Sequence, residues 1–155
     1  MFKKILIPTD GSALSEQSAN AGILFARSTG AEVVALYVTQ PFAATLGFDG
    51  MSAAYAISDT DYEKANAALA QKHLKAVADR AETAGVKVST HAVSNFNIAD
   101  GIVQAGIDYH CDIIFMSSHG RSGFSRLLLG SVTTKVLALT HSPVLVYKVK
   151  DEVKK

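Results

Sequence analysis

From Ser117 to Ser131 the chain reads SSHGRSGFSRLLLGS. Glycines, hydroxyls and cationic side chains recur at spacings that suit the cradling of an anion. Gly130 and Ser131 stand where a helical pattern begins. A helix N-terminus offers unpaired N–H groups and a partial positive charge. Ser131 and Thr133 add hydroxyl donors, and Gly130 lets the backbone approach a ligand closely. Gly120 and Gly123 let the preceding loop curl so that successive N–H groups face inward. Arg121, Arg126 and Lys135 bring positive charge nearby. The chemistry implied is polyphosphate binding, and a purely structural strand-to-helix turn is the alternative. No Gly-Lys-Ser/Thr closes the loop, so it is not a Walker sequence. A dinucleotide fingerprint would follow the first strand, where this chain has PTDGS instead.

Ser117, His119 and Asp10 invite comparison with a hydrolase, but a glycine-rich phosphate loop accounts for two of them without catalysis. No paired carboxylates with acid/base geometry can be named. His73, His91, His110 and His141 are scattered, and His110-Cys111-Asp112 has no second cluster at metal-ligand spacing. No catalytic residue and no resident metal are therefore expected, and Mg²⁺ would arrive only on bound phosphates.

Elements must bring these residues together. Four continuous apolar runs, Lys3–Thr9, Ala31–Val38, Cys111–Ser118 and Pro143–Val149, have the composition of strands buried on both faces. A fifth, Val86–Ser94, alternates, with Val86, Val88, Thr90 and Ala92 pointing one way, and reads as an edge or half-exposed strand. Between them lie helical patterns. One runs from a Ser12 cap to Gly30 and one from Asp61 to Ala84, closed by Gly85. A third steps through Ile98, Ile102, Ala105 and Tyr109 after Asn97 or Asn95, and a fourth through Val132, Val136 and Leu139. Strict β-α alternation predicts an α/β fold: one open parallel five-stranded sheet, Rossmann-like, with helices on both faces. The expected strand order is 3-2-1-4-5. Ligands of such sheets bind beyond the strands' carboxyl ends at the switch point, here between strands 1 and 4. The 117–131 loop falls at that point on grounds independent of its composition. The long connection Thr39–Thr60, with Phe42, Phe48, Met51 and Tyr55, is either a lid or contact surface or a flexible insertion.

The chain has 155 residues, and a formal net charge of +1 gives no global pull toward nucleic acid or an anionic membrane. One domain over 1–150 and a basic tail over 151–155 are expected. Cys111 is the single cysteine, so no internal disulfide is possible. With no signal-peptide core and no apolar stretch of membrane-spanning length, a cytoplasmic protein is expected.

The chain resembles the universal stress proteins, in their nucleotide-binding branch, whose fold is also that of the adenine nucleotide alpha hydrolases. The family's loop reads Gly, two residues, Gly, nine residues, then Gly-Ser or Gly-Thr. Here Gly120, RSGFSRLLL and Gly130-Ser131 supply all but the first glycine, which is Ser117. KKILIPTDGS, ALYV, SSHGRSG, RLLLGSVTTKVL and SPVLVYK match as well. The resemblance implies an ATP-binding regulatory protein of the stress response. A dimeric interaction or chaperone-like protein without nucleotide is the alternative. It implies Pro8, Thr9 and Asp10 beside the adenosine and Val38 on the adenine through backbone and side chain. Met116 and Ser117 would border the ribose, with the Ser117 hydroxyl able to donate to ribose or phosphate. Gly120, Gly130, Ser131, Val132 and Thr133 would cradle phosphates, and His119 and Arg121 would support them. It also implies a homodimer paired through Val144–Val149, since an apolar edge strand is a liability unless paired.

Overall fold

The computed structural model describes residues 2–45, 58–120 and 129–148. Five parallel strands form one sheet: β1 Lys4–Pro8, β2 Glu32–Thr39, β3 Val88–Ser94, β4 Ile113–Ser117 and β5 Val144–Tyr147. Their spatial order is β3-β2-β1-β4-β5, as the alternation of elements predicts. The helices are α1 Ala13–Thr29, the short α2 Phe42–Thr45, α3 Asp59–Thr83, α4 Ile98–Asp108 and α5 Ser131–Leu139.

Two cores follow from the pleat. Ile5, Ile7, Val33, Ala35, Tyr37, Ile113 and Phe115 meet α1 and α3 on one face. Leu6, Val34, Leu36, Ile114 and Met116 meet α4 and α5 on the other. Each central strand thus sends alternate side chains into opposite cores, so its sequence reads as an unbroken apolar run. Small residues let α1 close on the sheet. A Cβ at Gly22 would sit 2.7 Å from Ile7 Cδ1, so only glycine allows this approach without repacking.

Caps and ends agree with local chemistry. Ser12 Oγ accepts from Ser15 N, and Gly30 closes α1 in the left-handed region at φ 70°. Asn97 caps α4, and the Asn95 side chain accepts from Asn97 N, so both candidate caps are used in succession. The third helix begins at Asp59, with Ser58 as its cap, rather than at Asp61. Its apolar stripe is buried at Ala70, Leu74, Val77 and Ala81, but Ala67 is exposed, in an open groove with Thr90 and Ala92 of the edge strand β3. β3 is an edge strand, and Thr90 and Ala92 on its helix-facing side are exposed. Of the Thr39–Thr60 connection, Thr39 ends β2, and Phe42 on α2 packs its ring 5.2 Å from that of Tyr62. Phe48, Met51 and Tyr55 lie outside the described residues.

The strands' amino ends are tied electrostatically, away from the crevice. Glu32 accepts Lys4 at 3.1 Å and Lys87 at 2.8 Å, and those two ammonium groups hold its carboxyl below the usual range. Asp112 Oδ2 accepts the backbone N–H groups of Lys3 at 2.7 Å and Lys4 at 2.9 Å, locking the start of β1 to β4. Those two bonds lower the Asp112 pKa. Cys111, beside it, is buried, and burial pushes its thiol up to about 11, as befits a small hydrophobe rather than a nucleophile.

A carboxylate whose pKa is depressed in the folded state stabilises it fully above the unfolded pKa and loses that contribution as pH falls through the folded value. Asp112→Ala should therefore lower unfolding stability at neutral pH by about 1 kcal/mol, a modest figure because the group is exposed. In urea melts at stepped pH, the gap between variant and parent should close as the pH falls below about 4.

Candidate functional site

The site begins where β1 stops. The β1–β2 ladder ends at Pro8↔Leu36, and Thr9 N donates to Leu36 O at 2.8 Å. Strand β2 runs on through Tyr37, Val38 and Thr39. Odd-numbered β2 residues bond to β3, as Val33 N to Lys87 O and Asn95 N to Thr39 O show. Even-numbered ones bond to β1, as Glu32 N to Lys3 O and Thr9 N to Leu36 O show. The Val38 N–H and C=O therefore point to the side where β1 has ended. On the other flank the β1–β4 ladder stops after Leu6↔Ile114. Beyond it the two strands part, α1 leaving toward one face and α5 toward the other.

The β1–α1 turn is braced from within. Asp10 Oδ1 accepts Ser12 N at 2.9 Å, Ser15 Oγ accepts Asp10 N at 3.2 Å, and Ser15 Oγ donates to Thr9 Oγ1 at 3.0 Å. Asp10 thus shapes the approach to α1, while Ser12 is the cap. Gly11 adopts φ 76°, and a Cβ there would collide with the His73 ring of α3. That ring lies parallel to Tyr37, centroids 5.8 Å apart.

On the β4 side the chain leaves through Ser117–Gly120 and returns at Leu129–Gly130, and the two ends are stitched together. Gly130 N donates to Ser118 O at 2.8 Å and Thr133 Oγ1 to Ser117 O at 3.0 Å. Ser118 N reaches Tyr147 O of β5 at 2.9 Å. Ser117 Oγ donates to His119 O at 2.6 Å, so the proton expected to serve a ligand is held inside the loop. Because that hydroxyl meets the His119 carbonyl and not its imidazole, no Ser117–His119–Asp10 relay is assembled. The imidazole Nδ1 lies 3.1 Å from Ser118 Oγ, and Nε2 is enclosed with no partner among the described residues. Gly130 is the α5 N-cap and provides no side-chain cap bond, and the first turn of α5 holds no acidic residue. Among the described residues, the leading N–H groups of this helix therefore meet no side-chain acceptor.

These segments enclose a cleft of about 290 Å³, near the lower end of the ~300–1,000 Å³ usual for ligand sites. It brings together Pro8, Thr9, Asp10, Val38, Met116, Ser117, His119, Gly120, Gly130, Ser131, Val132 and Thr133, whereas Lys135, exposed on α5, does not line it. Arg121, like Gly123 and Arg126, lies outside the described residues. Ser15, Tyr37, Gln40, Ile98 and Ile102 line it too and were not foreseen. Tyr37 and the Ile98–Ile102 pair read as core in strand and helix patterns, and no local signal separates a core residue from one at a cleft wall. Gln40 stands just past a strand end and carried no pattern at all.

The glycines divide by cause. Among the described glycines only Gly11, Gly30 and Gly85 have positive φ, so Gly120 is not there for a left-handed turn. A Cβ at Gly120 would lie 2.7 Å from Asp10 Oδ2, so this glycine admits the carboxylate of the opposite loop. A Cβ at Gly130 would lie 3.2 Å from Ser118 O and 3.3 Å from His119 Cα, against the loop's own backbone.

Comparison with known proteins places this arrangement in company. The sequence profile described as the universal stress protein family matches residues 1–148. Universal stress protein MJ0531 of Methanocaldococcus jannaschii is 37% identical over 150 residues, 96% of this chain and 83% of that protein. The solved structure of MJ0577, also a universal stress protein of that organism, superposes with a TM-score of 0.80 at 29% identity, covering 98% of this chain and 99% of the other. A universal stress protein from Archaeoglobus fulgidus, solved in complex with dAMP, shares the fold at 17% identity and a TM-score of 0.61, over 94% and 97% of the two chains.

The Asp10–Gly120 contact gives a direct test. Gly120→Ala should cost about 1–2 kcal/mol in urea melts, because Asp10 is held by Ser12 N and has no free room. In an Asp10→Ala background the same change should be close to neutral, a coupling that a double-mutant cycle measures.

Proposed function

The chain belongs to the universal stress protein family, and on that footing we propose that its cleft binds an adenine nucleotide, ATP with Mg²⁺ on its phosphates, as a regulatory ligand. The observation that carries this reading is the chemical polarity of the cleft. One end is apolar, walled by Val38, Ile98, Ile102 and Met116. The other is the N-terminus of α5, with Gly120, Gly130, Ser131 and Thr133 around it. A base fits the first end and phosphates the second, since helix N–H groups and their dipole favour anions.

Val38 sharpens the fit to adenine. Its N–H and C=O, left without a strand partner on the cleft side, form an adjacent donor and acceptor. The Watson–Crick edge of adenine presents an acceptor at N1 and a donor at its amino group, the complementary pair. Thr9 and Asp10 would flank the ribose from β1, and Met116 and Ser117 from β4. His119 would steady the phosphate loop, with Arg121 beside it. Mg²⁺ would supply charge neutralisation on the phosphates. The role assigned is ligand-dependent presentation of a surface to a partner protein.

The proposal includes a homodimer through Val144–Val149 and a cytoplasmic setting. Supporting the first, β5 is a sheet edge of half-buried apolar residues, and Leu137 and Leu139 of α5 are 41% and 48% exposed. Supporting the second, the lone cysteine is free and buried. Among the described residues no helix is long and apolar enough to cross a membrane.

Ser131→Glu tests the phosphate end without disturbing the fold. The position is exposed and opens α5, where an acidic residue complements the helix dipole by about 0.3–1 kcal/mol. The variant should melt at or above the parent temperature, yet bind ATP–Mg²⁺ at least about tenfold more weakly in calorimetric titration. Failure of the parent to bind any adenine nucleotide would leave the loop as a structural turn and favour a nucleotide-free interaction protein.

A further inference from the structure

The base end of the cleft has one polar side chain whose chemistry is partly committed. Leu36 and Val38 of β2 face the α4–α5 core, and Gln40 follows them with the same parity. Its Nε2 donates to Phe96 O at 2.9 Å. A backbone carbonyl only accepts, so the amide nitrogen must face Phe96 and the orientation of the amide is fixed by its partner. The Gln40 carbonyl meanwhile accepts the Tyr62 hydroxyl at 3.3 Å. Held through both backbone and side chain, Gln40 is pre-positioned just ahead of Ile98 at the start of α4. Its remaining polar atom, Oε1, receives no donor among the described residues. Gln40 lines the cleft beside Val38, Ile98 and Ile102.

We infer that Gln40 is the specificity residue for the base, with Oε1 accepting from an exocyclic amino group and rejecting an oxo group at the same place. This rests on the nucleotide reading above and deepens it. An amino group carries two hydrogens. One suits the Val38 C=O, and the second needs an acceptor to one side, which the anchored amide supplies. Because Phe96 holds the nitrogen, the amide cannot flip to offer a donor without breaking that bond. A 6-oxo purine would bring acceptor against acceptor at Gln40 and at the Val38 carbonyl alike. Gln40 is exposed in the free chain, so the bound base itself covers the amide, and an oxo group there leaves Oε1 desolvated and unpaired.

The experiment is a calorimetric titration of the full chain and of Gln40→Met with ATP–Mg²⁺ and with inosine triphosphate–Mg²⁺, in which an oxo group replaces the amino group. Methionine keeps the length and removes the acceptor. The parent should prefer ATP by about tenfold or more, and Gln40→Met should narrow that ratio about fivefold to tenfold. Thermal melts establish that both proteins are folded. An unchanged ratio in Gln40→Met overturns the assignment and leaves the nucleotide site standing. A parallel loss of affinity for both ligands, with the ratio intact, also overturns it and makes Gln40 a brace for the β3–α4 connection. If the parent binds neither nucleotide, this inference falls together with the reading it rests on.

Discussion

The site depends on a mismatch in strand length. Strand β1 is paired on both sides at its start, to β2 and to β4, but it stops at Pro8 while β2 continues to Thr39. Backbone polar groups must find partners somewhere, and the ladder normally supplies them. Where the central strand ends early, the next even-numbered β2 residue, Val38, keeps its N–H and C=O on an empty flank. The same early end lets α1 and α5 diverge to opposite faces, so the gap is a crevice rather than a packed seam. The apolar slot and the α5 terminus would not face a common space if β1 were two residues longer.

Steric exclusion then fixes the crevice walls. Gly11 yields to His73, and Gly120 yields to Asp10. Each glycine serves a side chain arriving from another element, so the β1–α1 turn is gripped from α3 on one side and from the β4–α5 loop on the other. Hydrogen bonds inside each loop, Ser15 to Thr9 and Ser117 to His119, use up local donors and stiffen the segments that line the cleft. A ligand entering such a site meets groups whose ordering cost has already been met in folding, the condition for selectivity from few contacts.

The electrostatic weight lies at the two poles of the sheet. At the strands' amino ends Lys4, Glu32, Lys87 and Asp112 satisfy one another and the chain start. At the carboxyl ends, among the described residues, the α5 terminus has no acidic side chain in its first turn and no side-chain cap bond from its N-cap Gly130. Ser118 N bonded to Tyr147 O places β5 one residue from that opening, so the sheet edge and the cleft share a strand end.

The sequence alone determined the architecture, because its signals are local and repeat. Continuous apolar runs marked the strands buried on both faces, periodic helices between them forced parallel crossovers, and Ser12, Asn97, Gly30 and Gly85 punctuated them. It also determined where the sheet's switch point falls, between β1 and β4, and that the chain leaves β4 there at Ser117. What it left open is what depends on packing between distant segments. Spacing suggested that Gly120 shapes an anion nest, whereas contact shows it making room for Asp10. The family resemblance implied the Ser117 hydroxyl as a ligand donor, and only the loop's own curvature shows the His119 carbonyl 2.6 Å from it. Tyr37, Ile98 and Ile102 carry the same pattern as any core residue, and Gln40 carries none. Only the end of β1 and the angle of α4 decide that these four border a cleft, because exposure there is set by where a neighbour stops, a quantity no local spacing records.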